Sequence, residues 1–484
     1  MTHHDGGWGI LSSQQDEDQA RAQAVSDPAA YHAAIAAKEL HWYDTSREQW
    51  VSQPSANAWQ GWHAVSGAEG SADADWTPWS SALDASAAPF YRWFVDGQTN
   101  ACFNLLDRHV LSGRGKKQAL VFEGDRWDPS RNEGRGGPVF EQRLSYRELL
   151  IEVALRARVL KSLDLSAGDR IALNLPNILE QIFYILAAQR LGVIYTPVFG
   201  GFSAKTLSDR IHDAGAKVVI TADGGYRNAE VVSYKSTYVD PALDNYVPRP
   251  AALKALSETL KSRLPADVAE RLEVQVTEAV AGEITLERAD VMRELGLALE
   301  RERGTAPEII AELRTTVASE LASVSHAVTN VIVVRYTGND IVEHSRDRWS
   351  HDLIAELEAE FLADAGAADR ASLDSLGDNA FWKAVGAAMP AVPVEADWPL
   401  FIIYTSGSTG KPKGVVHTHG GWLSGITHTM RTVFNANQDD CLYVIGDPGW
   451  ITGQSYLIAA PLAFGMSTVI AVGSPLFPHA GRFA

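Results

Sequence analysis

The sequence predicts an α/β fold in which mostly parallel sheets are flanked by helices, with a helical subdomain inserted into it. Two observations support this prediction. From Leu144 onward, amphipathic helices alternate with short apolar runs, and between residues 245 and 325 a series of charged helices interrupts that alternation. The length of 484 residues suits two or three domains, and a hydrophobic content of 46% is enough for a large core.

The alternating region begins with the amphipathic helix LSYRELLIEVALRARVLKSL, in which Ser145 and Glu148 have the spacing of a capping box. The elements that follow are the strand DRIALNLPN, the helix ILEQIFYILAAQRLG ending at Gly192, the strand VIYTPVFGG, a helix near SAKTLSDRIHDAG and the strand KVVITADGG. Further strands are predicted at NVIVVRYTG and PLFIIYTSG. Strands joined by helices of this length pair in parallel with right-handed crossovers, and such sheets bind ligands at the carboxyl ends of their strands.

The stretch from 245 to 325 contains several charged helices and no motif for chemistry. In the helix TAPEIIAELRTTVASEL, Thr305 and Glu308 have the spacing of a capping box, and Leu313 and Val317 belong to one apolar face. Two interpretations remain open for this insertion: a solvated helical bundle, or a subdomain that contacts a partner.

Residues 1 to about 90 are rich in tryptophan and predict a segment that wraps the core and anchors itself by aromatic burial. The piece DPAAYHAAIAAKELHWY predicts an amphipathic helix with Tyr31, Ile35 and Leu40 at helical spacing. The remainder, up to Pro89, is expected to be irregular.

The composition excludes several classes of function. With 42 basic and 60 acidic residues the formal net charge is −18, which argues against a general binder of nucleic acid or of anionic membranes. Cys102 and Cys441 are far apart and form no CxxC pair, so neither a disulfide scaffold nor a cysteine zinc site is expected. The N-terminus lacks the pattern of a secretory signal. The apolar stretch 456–477 is broken by Pro461 and Gly465, so it predicts a buried helix followed by a strand rather than a membrane helix. We expect a soluble cytoplasmic protein.

The loop TSGSTGKPKG at 405–414 directly follows the predicted strand 399–404. Its glycines allow sharp turns and close backbone approach to an anion, its hydroxyls supply donors and its two lysines supply positive charge. Such a loop is suited to a polyphosphate. It is not a Walker A loop, because Thr405 and Pro412 stand where that pattern requires glycine and Ser or Thr, so a kinase or GTPase is disfavoured. A flexible linker is a poor alternative, since the loop follows a buried strand.

The stretch YTSGSTGKPKGV resembles the phosphate-loop signature of the adenylate-forming enzymes, which include acyl-CoA synthetases, luciferases and peptide-synthetase adenylation domains. Four further stretches resemble the acetyl-CoA synthetase branch: YRWFVDGQTNACFNLLDRH at 91–109, VFGGFSAKTLSDRI, VVITADGG and GDPGWITGQSY at 446–456. The resemblance covers nearly the whole chain except the insertion and a few N-terminal stretches. It implies a wrapping segment at 1–115, an AMP-binding domain at 116–484 and the helical insertion at 245–325 within that domain.

The resemblance also implies roles for individual residues. It implies that the ATP phosphates are bound by Thr405, Ser406, Gly407, Ser408, Thr409, Gly410, Lys411, Lys413 and Gly414, with Thr405, Lys411 and Lys413 taking part in catalysis. It places the nucleotide part of CoA at Phe199, Gly200, Gly201 and Arg227, and the acyl group at Trp450, Ile451 and Thr452. It implies ATP, Mg²⁺ and CoA as ligands and no protein-bound metal. Core packing is the alternative for Phe199 and Trp450, and a solvated surface charge is the alternative for Arg227.

The implied reaction has two steps. A small carboxylate attacks the α-phosphorus of Mg-ATP to give an acyl-adenylate and pyrophosphate, and the CoA thiol then displaces AMP. No protein nucleophile is needed, so catalysis rests on positioning and charge neutralisation.

The sequence departs from the family pattern in several places. The ribose-binding Asp, the hinge and the small C-terminal domain with its Lys do not follow within this sequence, so we expect a fragment that is inactive alone. Glu230 stands in place of a second Arg near CoA, and Gln454 in place of a His. With the insertion and the opening DGGWGILSS, these departures resemble the ligase part of propionyl-CoA synthase, a fusion enzyme that activates 3-hydroxypropionate and continues into further domains. A stand-alone acetyl- or propionyl-CoA synthetase, an enzyme for a larger acid or an amino acid, and a non-catalytic remnant are the alternatives.

Overall fold

A seven-stranded sheet forms the centre of the structure, a computed structural model that describes residues 13–52, 63–64, 77–302, 306–324, 326–405, 412–474 and 476–479. In spatial order its strands are Asp347–Trp349, Asn330–Val334, Val218–Ala222, Arg170–Asn174, Ile194–Pro197, Pro399–Thr405 and Lys413–Thr418. The first six pair in parallel and the last pairs antiparallel with its neighbour. The predicted α/β fold with mostly parallel pairing is confirmed.

A second sheet stands beside the first. Its strands lie in the order Glu141–Ser145, Gln118–Glu123, Ser467–Ala471 and Cys441–Tyr443, and the last three are parallel. The stretch predicted as a buried helix followed by a strand forms the helical turns Gly453–Ala459 and Ala460–Phe464 and then the strand Ser467–Ala471.

The helices that cover the sheets begin and end largely where the sequence predicts. Tyr146–Ser162 begins with the predicted capping box of Ser145 and Glu148, and Leu179–Leu191 ends at Gly192, whose φ of 70° is left-handed. Ala204–Ala214 begins with Ser203 as its cap. The other main helices are Ser350–Asp364, Asp378–Ala388 and His419–Thr432. One large apolar core lies between most of these helices and the two sheets, and a second cluster, which includes Leu207, Ile211 and Val219, lies between the helix Ala204–Ala214 and the central sheet.

Where the structure describes the region between 245 and 325, the chain forms four helices, Arg249–Arg263, Ala266–Ala279, Arg288–Arg301 and Pro307–Ser323. They enclose an apolar cluster of their own, which includes Leu256, Leu272, Leu295, Leu313 and Val317. The predicted capping box is wrong: the last helix has Ala306 as its N-cap with Pro307 after it, and proline is favoured at a first helical position. Thr305 lies outside the described residues. The boundaries of the insertion and of the segment 1–115 stay predictions.

The N-terminal segment contains the helices Gln14–Ser26 and Pro28–Glu39, and Tyr31, Ile35 and Leu40 are buried as predicted. Aromatic burial anchors the segment, because Trp42 is fully enclosed and Trp50 stacks on Phe103 with ring centroids 3.7 Å apart. The expectation of an irregular remainder is wrong where the chain forms the strands Trp42–Asp44, Gln49–Ser52, His63–Ala64 and Ser81–Asp84. Strands of two to four residues are too short to give a readable alternation. No helix among the described residues has the length and apolar character that a bilayer crossing requires.

Candidate active site

The predicted phosphate loop connects two neighbouring strands at the carboxyl end of the central sheet. Thr405 ends the strand Pro399–Thr405, Lys413 begins the strand Lys413–Thr418, and these two residues are paired directly across the base of the loop. Gly414 is paired with Tyr404. Thr405, Lys413 and Gly414 are therefore brought together and are exposed, while Ser406, Gly407, Ser408, Thr409, Gly410 and Lys411 lie outside the described residues.

The base of the loop is held by the helix Ala204–Ala214. The Tyr404 hydroxyl donates a hydrogen bond of 2.7 Å to Asp213 Oδ2. The guanidinium of Arg210 lies over two rings, 4.2 Å from the centroid of Phe202 and 5.3 Å from that of Tyr404. None of these contacts was predicted, because no motif joins the residues, and the two contacts with Tyr404 connect residues about 190 positions apart.

A cavity of about 370 Å³ opens at the same end of the strands. It lies where four parallel strands from the two sheets finish, as expected for a ligand site in an α/β fold. Its wall is formed by Asn177, Phe199, Tyr443, Val444, Ile445, Gly446, Asp447, Trp450, Leu457, Ile470, Ala471 and Gly473. Two of the predicted site residues, Phe199 and Trp450, are in this wall.

Three aromatic rings form a cluster at the cavity. The ring centroids of Phe199 and Trp450 are 6.0 Å apart, and Phe202 lies within 5.7 Å of both. Trp450 is 48% exposed, so it is not a core side chain. Ile451 and Thr452 are exposed at the start of the following helix and do not line the cavity. The acyl role predicted for those two residues stays a prediction.

The glycine pair after Phe199 allows close packing. A Cβ on Gly200 would lie 2.3 Å from the Tyr234 hydroxyl, and a Cβ on Gly201 would lie 2.4 Å from the Phe199 ring. Glycine is therefore required at both positions for these contacts. Tyr234 was not predicted as a site residue. Burial raises its pKa above the ordinary value, and the nearby negative charge of Asp447 adds to that shift.

Arg227 lies in a hairpin of the strands Gly225–Arg227 and Glu230–Val232, where it is paired directly with Glu230. The tight turn places Asn228 and Ala229 at φ values of 54° and 63°. Glu230, which departs from the acetyl-CoA synthetase pattern, is therefore the cross-strand neighbour of Arg227, the predicted CoA contact. Arg227 is exposed, and its positive charge lowers the pKa of Tyr234 against the larger effect of burial.

Asp447 is an acidic group in the cavity wall that was not predicted as a site residue. Partial burial raises the pKa of its carboxyl to about 6, although the Gly449 N–H donates a hydrogen bond of 2.6 Å to Oδ1. A Cβ on Gly449 would lie 2.7 Å from the Phe199 backbone, so glycine is needed where these two loops touch. The only available signal was the position of Asp447 within the stretch GDPGW.

Gln454, which replaces an expected histidine, is buried behind the cavity. The Tyr195 hydroxyl donates to Gln454 Oε1 at 2.9 Å, and Gln189 Nε2 donates to the Tyr195 oxygen at 3.1 Å. Gln454 Nε2 donates to the Pro448 carbonyl. The glutamine thus ties the loop that carries Asp447 and Trp450 to the central sheet through neutral hydrogen bonds.

Comparison with known proteins gives two family matches. Residues 112–303 and 309–484 match the family described as AMP-binding enzyme, and residues 68–105 match the acetyl-coenzyme A synthetase N-terminus. Among curated proteins, the acetyl-coenzyme A synthetase of Thiobacillus denitrificans is 34% identical over 411 residues, which is 84% of this chain and 45% of that protein. Those of Methylobacillus flagellatus and Streptomyces coelicolor are 35% and 34% identical, each over 44% of its length. The chain therefore spans a little less than half the length of these relatives.

Proposed function

The chain belongs to the AMP-binding enzyme family, and from that membership we propose that it activates a short-chain carboxylate with ATP and CoA as part of a longer enzyme. The products are acyl-CoA, AMP and pyrophosphate. Small carboxylic acid, ATP and CoA are its partners in this proposal, with neither nucleic acid nor membrane involved. The similarity to acetyl-coenzyme A synthetases over 84% of the chain supports the choice of a short acid.

One observation carries the proposal. The loop rich in glycine, hydroxyls and lysine and the cavity beneath Trp450 and Phe199 lie at the same carboxyl edge of neighbouring parallel strands. A phosphate-binding loop and a separate small cavity are the two sites that a reaction between ATP and a small acid requires.

The chemistry needs no covalent intermediate with the protein. A carboxylate oxygen attacks the α-phosphorus of ATP, the bond from that phosphorus to the bridging oxygen breaks, and pyrophosphate leaves with the electron pair. The CoA sulfur then adds to the acyl carbonyl and AMP leaves. Thr405, Lys411, Lys413 and the loop hydroxyls would bind and neutralise the phosphates, and Mg²⁺ would enter with ATP as part of the substrate.

The cavity and the aromatic cluster would bind the other two substrates. Phe199 and the glycine pair would contact the CoA nucleotide and Arg227 its phosphate, while Trp450 would cover the acyl group together with Ile451 and Thr452. Asp447 and Tyr234 join this region as further candidates, since both lie against the predicted CoA residues.

Three short acids are proposed as substrates: 3-hydroxypropionate, propionate and acetate. The pairing of Arg227 with Glu230 and the inserted helical cluster favour the ligase part of an enzyme like propionyl-CoA synthase, in which a product is handed to later domains. A stand-alone acetyl- or propionyl-CoA synthetase is the second candidate, favoured by the relatives found. Hydroxamate formation can be measured with these three acids, with a longer acid and with an amino acid. Activity confined to the short acids would distinguish a short-acid enzyme from other members of the family.

The phosphate-loop assignment is tested by Lys413→Ala in the complete protein that contains this chain. We expect acid-dependent pyrophosphate release to fall about 100-fold or more, because a positive charge beside the leaving group is lost. Lys383→Ala removes an exposed lysine from the helix Asp378–Ala388 and is the matched control. Undiminished release by Lys413→Ala would remove this residue from the site, and an unaltered protein that releases no pyrophosphate with any acid would favour a non-catalytic remnant.

A further inference from the structure

A second cavity, of about 500 Å³, lies beside the hairpin that carries Arg227. It shares no residue with the wall of the cavity at Phe199 and Trp450. A volume of this size is typical of sites for small molecules and cofactors. The wall residues that bear on its chemistry are Arg126, Trp127, Arg135, Ala229 and His479.

The cavity is positively charged. Arg126 and Arg135 are both exposed in its wall, and among the described residues neither has an ion pair. The described wall contains no acidic side chain. The residues next to it in the sequence that lie outside the described part, 475 and 480–484, include no Asp or Glu either. The two guanidinium groups are therefore accessible cations that the surrounding wall does not neutralise.

Flat rings lie beside these cations and are held in place by the local structure. The guanidinium of Arg126 is 4.9 Å from the centroid of the Tyr226 ring. Trp127 packs on the backbone of the loop opposite, because a Cβ on Gly136, whose φ is 83°, would lie 2.2 Å from the indole Nε1. The His479 ring meets Trp127 edge to face with centroids 5.9 Å apart. Solvated surface arginines do not require such surroundings, whereas a ligand with phosphates and a planar base does.

The hairpin with Arg227 forms part of this cavity. Ala229 is in the wall, and its N–H donates a hydrogen bond of 2.8 Å to Asp125 Oδ2, one residue before Arg126. Tyr226, which lies under the Arg126 guanidinium, directly precedes Arg227. The cavity is therefore contiguous with the hairpin that is predicted to contact CoA.

The phosphate loop lies elsewhere on the central sheet. The hairpin follows the strand Val218–Ala222, and two other strands separate that strand from Pro399–Thr405, at which the loop begins. The position of the cavity favours CoA over ATP as its ligand.

We propose that this cavity binds a phosphate group of the CoA nucleotide through Arg126 and Arg135. The inference rests on the proposed function and extends its CoA site from the hairpin to the neighbouring loop. A planar guanidinium can donate two parallel hydrogen bonds to phosphate oxygens. The two arginines supply the positive charge that Glu230 removes from the hairpin, where the resemblance leads us to expect a second Arg. The phosphate is either the 3′-phosphate or the diphosphate of CoA.

The test measures equilibrium binding of CoA, dephospho-CoA, ATP and the phosphate-free pantetheine to the complete protein and to its Arg126→Gln and Arg135→Gln variants. We expect each variant to bind CoA about 3- to 10-fold more weakly, as for a lost hydrogen bond, and to bind ATP and pantetheine unchanged. A loss confined to CoA would assign the 3′-phosphate, and an equal loss for dephospho-CoA would assign the diphosphate.

Arg143→Gln is the matched control. Arg143 is an exposed arginine on the strand Glu141–Ser145, is paired with Glu141 at 2.7 Å and lies in the wall of neither cavity. Its substitution removes the same charge from the protein and should leave all four affinities unchanged.

Unchanged CoA affinity of both folded variants would overturn the inference and leave the proposed function standing. The same holds for an equal loss of CoA affinity in Arg143→Gln, which would show a general effect of charge, and for weaker pantetheine, which would show that the lost contact is not with a phosphate. Weaker ATP without weaker CoA would also overturn it. An unaltered protein that does not bind CoA would overturn the proposed function, and this site with it. If one glutamine variant does not fold, the other carries the test.

Discussion

Replacing Asp447 by asparagine should stabilise the protein at alkaline pH and leave its stability unchanged in acid. The carboxyl has a pKa of about 6 in the folded protein against an ordinary value of 3.8. Below pH 3.8 it is protonated in both the folded and the unfolded states, so its charge does not affect folding. Between pH 3.8 and pH 6 the unfolded chain has released the proton while the folded protein still holds it, so stability falls over this interval and stays low above pH 6.

The size of the effect follows from that difference. The rise of the pKa from 3.8 to about 6 corresponds to about 3 kcal/mol, and contact of the side chain with solvent lowers this to about 1–3 kcal/mol. Asparagine has nearly the same shape and can still accept the Gly449 N–H, so the substitution removes the charge and little else.

Urea denaturation at pH 8 and pH 4 measures this difference. We expect the variant to be more stable than wild type at pH 8 by about 1–3 kcal/mol, with the gain disappearing between pH 6 and pH 4. Asp369→Asn is the control, because the exposed Asp369 caps a helix and its pKa is lowered by Ser372, so its removal should give no gain at pH 8. An equal gain at both pH values, or none at pH 8, would refute the role of the buried charge.

Three further outcomes test the description of the fold and the site. Asp107→Asn should cost about 3–5 kcal/mol of unfolding free energy, because it leaves the enclosed Arg190 without its carboxylate; a urea midpoint unchanged from wild type would contradict this. Leu313→Ala should lower the free energy of unfolding by about 2–5 kcal/mol, because it opens a cavity in the core of the helical insertion. Amide hydrogen exchange should show loss of protection in the insertion first. A uniform loss of protection across the whole chain would show that the insertion does not unfold separately. Arg227→Ala should raise the Michaelis constant for CoA about 3- to 10-fold with little effect on the adenylation half-reaction, and an unchanged CoA dependence would place Arg227 outside the site.

Local features of the fold could be predicted because their causes lie close together in the sequence. The capping box of Ser145 and Glu148 involves residues three apart, and the left-handed end of a helix at Gly192 depends on one residue. The parallel sheet followed from the spacing of apolar runs. The capping box predicted at Thr305 failed because a proline two positions later, Pro307, starts the helix instead.

In the candidate site, only residues that belong to a recognisable sequence motif could be predicted. Thr405, Lys413, Phe199 and Trp450 belong to stretches whose composition is informative by itself, and the structure places them at one edge of the sheet. Tyr234 reaches the glycine pair across 34 positions of sequence, so its proximity depends on the folded topology. No local pattern distinguishes such a tyrosine from an ordinary one.

The same argument explains why Asp447 and Arg210 were missed and why they matter. A charged side chain has the same identity in the sequence whether or not the fold gives it a partner, so an unpaired charge is a property of the folded chain alone. Several buried cations are paired with a carboxylate, as Arg190 is with Asp107. In the described part of the chain, by contrast, neither Arg210 beside the phosphate loop nor Asp447 at the cavity has an ion pair. A charge that the fold leaves without an opposite charge in this way reduces the stability of the folded protein, which is why the substitution of Asp447 is expected to stabilise it.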